Sequence, residues 1–420
     1  MRSSEDYAEI PTTAVIERKK AFSIKTLLSS LGPGIITAAL VFGPSKMTIT
    51  SKLGADYGYS LIWIVAIAIL FMTVFTVMAA RIGVATGQSL LSTIRIKWGK
   101  GAAIAVGLGV FFVTTSFQAG NSIGVGLSVA ESTGTSVTLW IIVFNVVGIA
   151  LLFFQVFYKI LEKLMIGLVA LMLFAFVTTV FLVRPDLSAI ASGLVIPVLP
   201  SGSEGLVIAF FASCFSIVGA FYQSYLVQER IKANPDIKEK NAHSITGIII
   251  LGLMSVIVMI CAAAVLNTQG VKVKSASDMA LALEPLFGSY ASGLFLTGLF
   301  GASFSSLVGN ATVGGTLISD AFGKGAQLQS RAVRLLIAVV MIFGAFIAIK
   351  FGKLPLELIV FAQSVTIFLV PFIGIAMFAI SNDVKIMGKA RNSRLTNVVA
   401  FIGLLVLLFL AAVNVKELFF

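Results

Sequence analysis

Gly43, Pro44, Ser45 and Lys46 hold the densest chemistry in this 420-residue chain, because they interrupt an apolar run that extends from about residue 28 to 54. Proline removes a backbone donor and clashes with the preceding turn, so a helix through this run has to break there. A lysine in the middle of a membrane span costs at least about 2.5 to 3.5 kcal/mol on insertion scales and calls for a partner. The half-helix after Pro44 adds unpaired N–H groups and the positive end of its dipole. With the hydroxyls of Ser45, Thr48 and Ser216, and with Tyr222 and Gln223 closing the pocket, the group is expected to hold a small planar oxyanion, bicarbonate being the leading example. Two other readings of Lys46 stay open. One is a structural cation that donates to backbone carbonyls freed near Gly43. The other is a side chain that snorkels to the surface, about eight residues away, or about 12 Å of helix rise.

The elements that must position these groups are membrane-spanning helices. Hydrophobic residues make up 58% of the chain and charged residues 11%, and the mean hydropathy is +1.04, far outside the range of a soluble domain. Apolar runs long enough to cross a hydrocarbon core of about 30 Å recur along the whole length. They number eleven, over about 28–54, 60–83, 102–128, 137–157, 163–183, 206–228, 246–267, 286–319, 332–351, 356–380 and 396–415. The net charge of +12 does not point to nucleic acid, because most Lys and Arg fall in loops on one side, among them Arg18, Lys19, Lys20, Arg95, Lys97, Lys100, Arg331, Arg334, Arg391 and Arg394. Short cytoplasmic loops collect basic residues in this way. The N-terminus is then cytoplasmic, and eleven crossings place the C-terminus outside a multi-pass protein of the inner cell membrane.

Residues 1–27 read as a polar cytoplasmic tail with no cleavable signal peptide, and 28–420 as a single transmembrane domain. Cys214 and Cys261 lie inside predicted spans, which argues against a disulfide framework, and the only histidine, His243, reads as a solvated loop residue. Helix six carries Ser213, Cys214, Ser216 and Gly219 in its middle, five helices after the first break. A pair of interrupted helices, one in each half, is the sequence sign of two inverted repeats that meet at a midplane site. Helices one to five and six to ten would be the repeats, with helix eleven added. Scattered glycines in helices three and eight read as close-packing contacts.

Several stretches resemble the Nramp family of proton-coupled divalent-metal transporters. GPGIITAAL followed by SKLGADYGYSLIW resembles its first helix and exit, and AARIGVATGQSLLSTIR (79–95) resembles the end of its second. GLFGASFSSLVGNATVGGTLISDAF (298–322) is similar to its eighth helix, and Gln363, ahead of Pro371 and Phe372, to its tenth. The resemblance covers about 28–380 and implies an all-α LeuT-like fold with eleven helices. Ala220 and Gln363 join the candidate substrate site on this basis. Ser305 and Ser306, with carbonyls of Ala39 and Phe42, fall where sodium sits in related LeuT-like folds, so sodium is the expected coupling ion; no other cofactor is expected.

The family's own chemistry does not carry over residue by residue. Its first-helix motif, Asp-Pro-Gly-Asn, falls on Gly43, Pro44, Ser45 and Lys46, so a carboxylate is missing and an amide has become a cation. Its sixth-helix Met-Pro-His, with a thioether suited to soft metals, falls on Ala220, Phe221 and Tyr222, and a second histidine on Val227. The acidic pair of its third helix falls on Gln118 and Asn121. No metal site of the Nramp type is therefore expected. The leading expectation is a secondary symporter for a small anion such as bicarbonate, with Lys46 as counter-charge. The alternatives are a divergent transporter of a divalent ion such as Mg²⁺ or Mn²⁺ that keeps its water shell, and a non-transporting sensor or scaffold. An enzyme is not expected, because no buried nucleophile, base and orienting acid can be assembled. The sequence leaves the oligomeric state open.

Overall fold

In the computed structural model, which describes residues 42–153, 155–214, 217–233, 242–352 and 355–419, the elements are helices throughout. The expected tail 1–27, the first half of helix one with Ala39, and Ser216 lie outside the described residues. The helices are α1 (Pro44–Tyr57), α2 (Ile62–Thr86), α3 (Leu90–Thr133), α4 (Val137–Leu151), α5 (Gln155–Val183), α6 (Leu187–Val195), α7 (Glu204–Cys214), α8 (Ile217–Ala233) and α9 (Ala242–Ala262). The second half continues with α10 (Ala291–Ala321), α11 (Arg331–Phe351), α12 (Pro355–Thr366), α13 (Val370–Ser381) and α14 (Arg394–Phe419). Short helices Ala276–Ala280 and Glu284–Phe287 sit in the connection before α10.

The expected break is where α1 begins. Phe42 and Gly43 are not helical, Gly43 is extended (φ −82°, ψ −177°), and Pro44 takes the first helical position, where its missing N–H would have had no helical partner in any case. The interruption expected in the middle of helix six, around Ser213, Cys214, Ser216 and Gly219, falls on 215–216, which lie outside the described residues. Another interruption was not anticipated. The expected span 356–380 is split between α12 and α13, because Pro371 cannot donate to the carbonyl of Ile367; the amides of Ile367, Phe368 and Leu369 turn back instead to Ser364, Val365 and Thr366.

The segment 79–95, expected to close helix two, belongs to two helices. Gly87 adopts the left-handed conformation (φ 62°) and stops α2, and the Ser89 side chain then accepts from the Ser92 amide at 3.0 Å to start α3. Within α3, Gly99 (φ 85°) bends the chain, so the apolar run expected from residue 102 is the straight part of a longer element.

Eight of the described helical stretches are long and apolar enough to cross a membrane. In the most apolar part of each, the buried share falls from 72% for 276–321 to 33% for Arg394–Glu417 and 28% for Lys163–Val183. That gradient puts α10 at the centre of the bundle and α5 and α14 at its lipid-facing margin. The most extensive helix contact is α3 against α10. Around it, α1 packs on α3, α7, α9 and α12, whereas α8 packs chiefly on α2.

Candidate functional site

Four helices converge where α1 begins. Pro44 and Ser45 rest in a groove on α3: a Cβ on Gly124 would lie 2.5 Å from the Pro44 Cβ, and one on Gly120 would lie 2.7 Å from the Ser45 Oγ. Small residues four apart on α3 are therefore what allow the helix start to approach. From α12, Gln363 Nε2 donates to Ser45 Oγ at 2.9 Å. From α10, Ser306 stands opposite Gly43, where a Cβ would come within 2.8 Å of the Ser306 Oγ and 3.4 Å of the Asn121 Oδ1. At the position where the resembling family carries its carboxylate, any side chain would therefore require the Ser306 hydroxyl to shift. The space is taken by a hydroxyl and an amide.

Gly43, Pro44, Ser45 and Gln363 of the expected substrate group are accordingly brought together with Ser306, which had been expected in a separate sodium group. Asn121 joins them, although it had been singled out only as the replacement of an acid. Its place follows from the spacing Gly120, Asn121, Gly124, which sets an amide beside the groove that receives α1. Thr48 and Ser305 are buried, and neither hydroxyl has a hydrogen-bond partner. Buried polar groups are seldom left so, and these two are spare oxygens close to the convergence along α1 and α10. Phe42, proposed for its carbonyl, is fully buried at the break.

Lys46 is 2% exposed, so it does not snorkel. Its Nζ lies over the ring of Phe210 on α7, 5.5 Å from the centroid, a distance at which the negative face of the ring attracts the cation. The ammonium is turned toward α7. Ala220, Tyr222 and Gln223 sit on α8; Ala220 and Gln223 are buried, and Tyr222 stacks on Tyr225 with centroids 5.7 Å apart and planes 16° from parallel.

The third-helix amides tie α3 to α10. Gln118 Nε2 donates to the Leu307 carbonyl at 2.9 Å, and Asn121 Nδ2 to the Ser306 carbonyl at 3.1 Å. Asn310 Nδ2 completes the set by donating to Gln118 Oε1 at 3.0 Å and to the Thr114 carbonyl at 2.8 Å. A carboxylate cannot donate, so this seam requires amides at both positions. Among the described residues no group of three or more His, Cys, Asp or Glu could hold a metal ion.

The sequence pattern of the family described as natural resistance-associated macrophage protein-like, Nramp, matches residues 34–417. The chain is 26% identical over 387 residues to the divalent metal cation transporter MntH of Deinococcus radiodurans, covering 90% of this chain and 87% of that protein. It is also 26% identical over 410 residues to MntH of Pectobacterium carotovorum, covering 96% and 97%. Among solved structures, a manganese transporter of Eremococcus coleocola superposes with a TM-score of 0.69 at 19% identity, covering 94% of this chain and 87% of the other. The nucleobase-cation-symport-1 transporter Mhp1 superposes with a TM-score of 0.62 at 12% identity, covering 92% of each. These two likenesses bear on the fold, which is LeuT-like.

One expectation is overturned. A bicarbonate-like anion symporter with Lys46 as counter-charge runs against relatives that are named divalent metal cation transporters over nearly their whole length. In the geometry, the Lys46 ammonium lies over the Phe210 ring of α7. With the pattern matched across 34–417 and the helix breaks in place, this membrane-embedded chain belongs to the Nramp family of transporters.

Proposed function

We propose that this protein carries a divalent metal cation across the membrane through the convergence of α1, α3, α10 and α12. The observation that carries the reading is the match to MntH proteins across 87% and 97% of their lengths. The site chemistry narrows the class of ion. Ser45, Asn121, Ser306 and Gln363 offer neutral hydroxyl and amide oxygens, with Thr48 and Ser305 as spare hydroxyls. Neutral oxygens suit a hard cation that keeps part of its water shell, such as Mg²⁺ or Mn²⁺. Lys46 restricts where such an ion can pass. A divalent ion within about 4 Å of its ammonium would be repelled by roughly 8 kcal/mol at an effective dielectric of about 20. The ion therefore passes on the α3 and α12 side of the break, away from α7, with water between.

The finer topology is part of this proposal: the loops rich in Lys and Arg face the cytoplasm, which sets the C-terminus outside. The decisive measurement is influx of Mn²⁺ and of Mg²⁺ into proteoliposomes loaded with a metal-sensitive dye. The proposal expects flux that Gln363→Ala reduces. No flux of either ion from verified, correctly folded protein would overturn it.

A further inference from the structure

The lipid-facing margin of the bundle does not stop where α5 ends. Phe181 and Leu182 close the apolar outer face of α5, and Phe181 is 78% exposed. Arg184 then takes the left-handed conformation (φ 50°), which few residues with a side chain adopt, and Pro185 follows. The chain turns there, and Asp186 starts α6 by accepting from the amides of Ser188 and Ala189 at 2.8 and 3.2 Å. α6 has three faces. Successive residues of a helix are about 100° apart, so Ala189, Ile190 and Gly193 share one side, and it is the more covered one. This side packs on α2, with Gly193 so close to the carbonyl of Tyr59 that a Cβ there would collide with it. Leu187, Ala191, Leu194 and Val195 share a second side, spaced i, i+4, i+7 and i+8, and all four are exposed. Leu187 is 76% and Val195 75% exposed. The third side carries Ser188 and Ser192.

We propose that α6 lies in the plane of the membrane surface, with Leu187, Ala191, Leu194 and Val195 seated in the lipid of that leaflet. A surface helix in water pairs one packed apolar face with a polar one. A second apolar stripe on a helix that is already packed calls for a second apolar surface. Lipid is that surface, because the stripe is continuous with the lipid-facing margin of α5. Phe181 and Leu182 precede Leu187 by only a few residues, and exposed Ile196, Val198 and Leu199 carry the apolar band beyond α6. The serine side completes the fit, since an in-plane helix keeps its polar face among the headgroups. Aromatic residues mark the same level. Trp63 Nε1 donates to the carbonyl of Val198 at 3.1 Å, and Tyr57 Oη to that of Gly202 at 2.5 Å; Trp and Tyr gather at membrane interfaces. Through these two bonds and the Gly193 contact, the lipid-seated segment is fastened to the end of α1 and the start of α2. The inference needs the chain to be membrane-embedded, and not the identity of the ion it carries.

The test measures depth. Leu187→Cys, Ser188→Cys, Ala191→Cys, Ser192→Cys, Leu194→Cys and Val195→Cys are made one at a time in the full chain, labelled with a nitroxide and reconstituted in phosphatidylcholine nanodiscs. The parent chain, treated alike, gives the background from Cys214 and Cys261. Collision with oxygen, which concentrates in lipid, and with a water-soluble nickel chelate is read by power-saturation EPR. The ratio of oxygen to nickel access is expected to be several-fold higher at 187, 191, 194 and 195 than at 188 and 192, following the turn of the helix. High nickel access at all six positions would place the stripe in water and overturn the proposal. Low access to both reagents at 194 and 195, with dipolar broadening between labels, would seat a second copy on the stripe and overturn it equally. All six side chains are exposed, so the label requires no repacking, and a variant that fails to fold leaves the others to show the pattern. Absent metal flux would count against the proposed function and leave this result standing.

Discussion

The same two helices, α3 and α10, meet at two depths with opposite chemistry. At the level of the break, Gln118 and Asn121 donate to backbone carbonyls of Leu307 and Ser306, and none of these groups carries a charge or titrates. At the end of the bundle, Asp320 of α10 receives hydroxyls from Ser89 and Tyr225 and brings a third element, α8, into the contact. Amide to carbonyl inside a dry seam has no alternative partner, so it fixes two helices as one body. Carboxylate to hydroxyl near an end can exchange its partners for water. The two depths thus differ in which polar pair joins the helices.

The comparison can be broken most forcefully at mid-depth. Gln118→Glu replaces a donor by an acceptor facing the Leu307 carbonyl in a fully buried position, and an uncompensated buried charge destabilises by about 3 to 5 kcal/mol. Thermal unfolding in detergent should fall sharply. It should recover in part at acidic pH, where the protonated carboxyl regains a donor; an unchanged melting point would show that the seam is not rigid. Gly43→Ala comes next. Its Cβ would lie 2.8 Å from Ser306 Oγ, and overpacking of this kind costs about 1 to 3 kcal/mol. A double-mutant cycle with Ser306→Gly should return most of that loss, and additive effects would remove the claim that these residues share one space.

At the other end, Ser89→Ala removes one of two donors to Asp320 and should lower stability by about 1.5 to 3 kcal/mol, read in the same melting assay. A loss as large as that of Gln118→Glu would erase the distinction between the two depths. The smallest effect belongs to Lys97 and Asp383, an ion pair whose side chains are each 21% exposed. The hydrogen bond from Lys97 holds the Asp383 carboxyl below its ordinary value, with the amides of Lys385 and Ile386 adding to it. A depressed carboxyl contributes stability above its unfolded pKa and loses it as pH falls through the folded one. Asp383→Asn should leave melting at neutral pH nearly unchanged and flatten its decline in acid.

Much of this architecture is legible in the sequence, because a proline inside an apolar run can only mean an interruption. Pro44 announces the first break, and Pro371 carries the same signal for the one between α12 and α13. The direction of Lys46 was not legible. Position along a helix does not say which neighbour a long side chain meets, and Phe210 lies 164 residues away in sequence. Nor is the setting of Asp320, near the end of an apolar run, legible there. Its burial depends on Ser89 and Tyr225 arriving from 231 and 95 residues away, and no local pattern records that meeting.

The seam between α3 and α10 also sets a timetable for biogenesis. Asn121 precedes its acceptor on Ser306 by 185 residues, which at a synthesis rate of about 5 to 20 residues per second is roughly 10 to 40 s. For that interval the two amides of α3 stand in the membrane without the carbonyls that satisfy them. A chain halted before α10 therefore shows the bilayer a polar stripe, the mark by which an unfinished copy differs from a complete one.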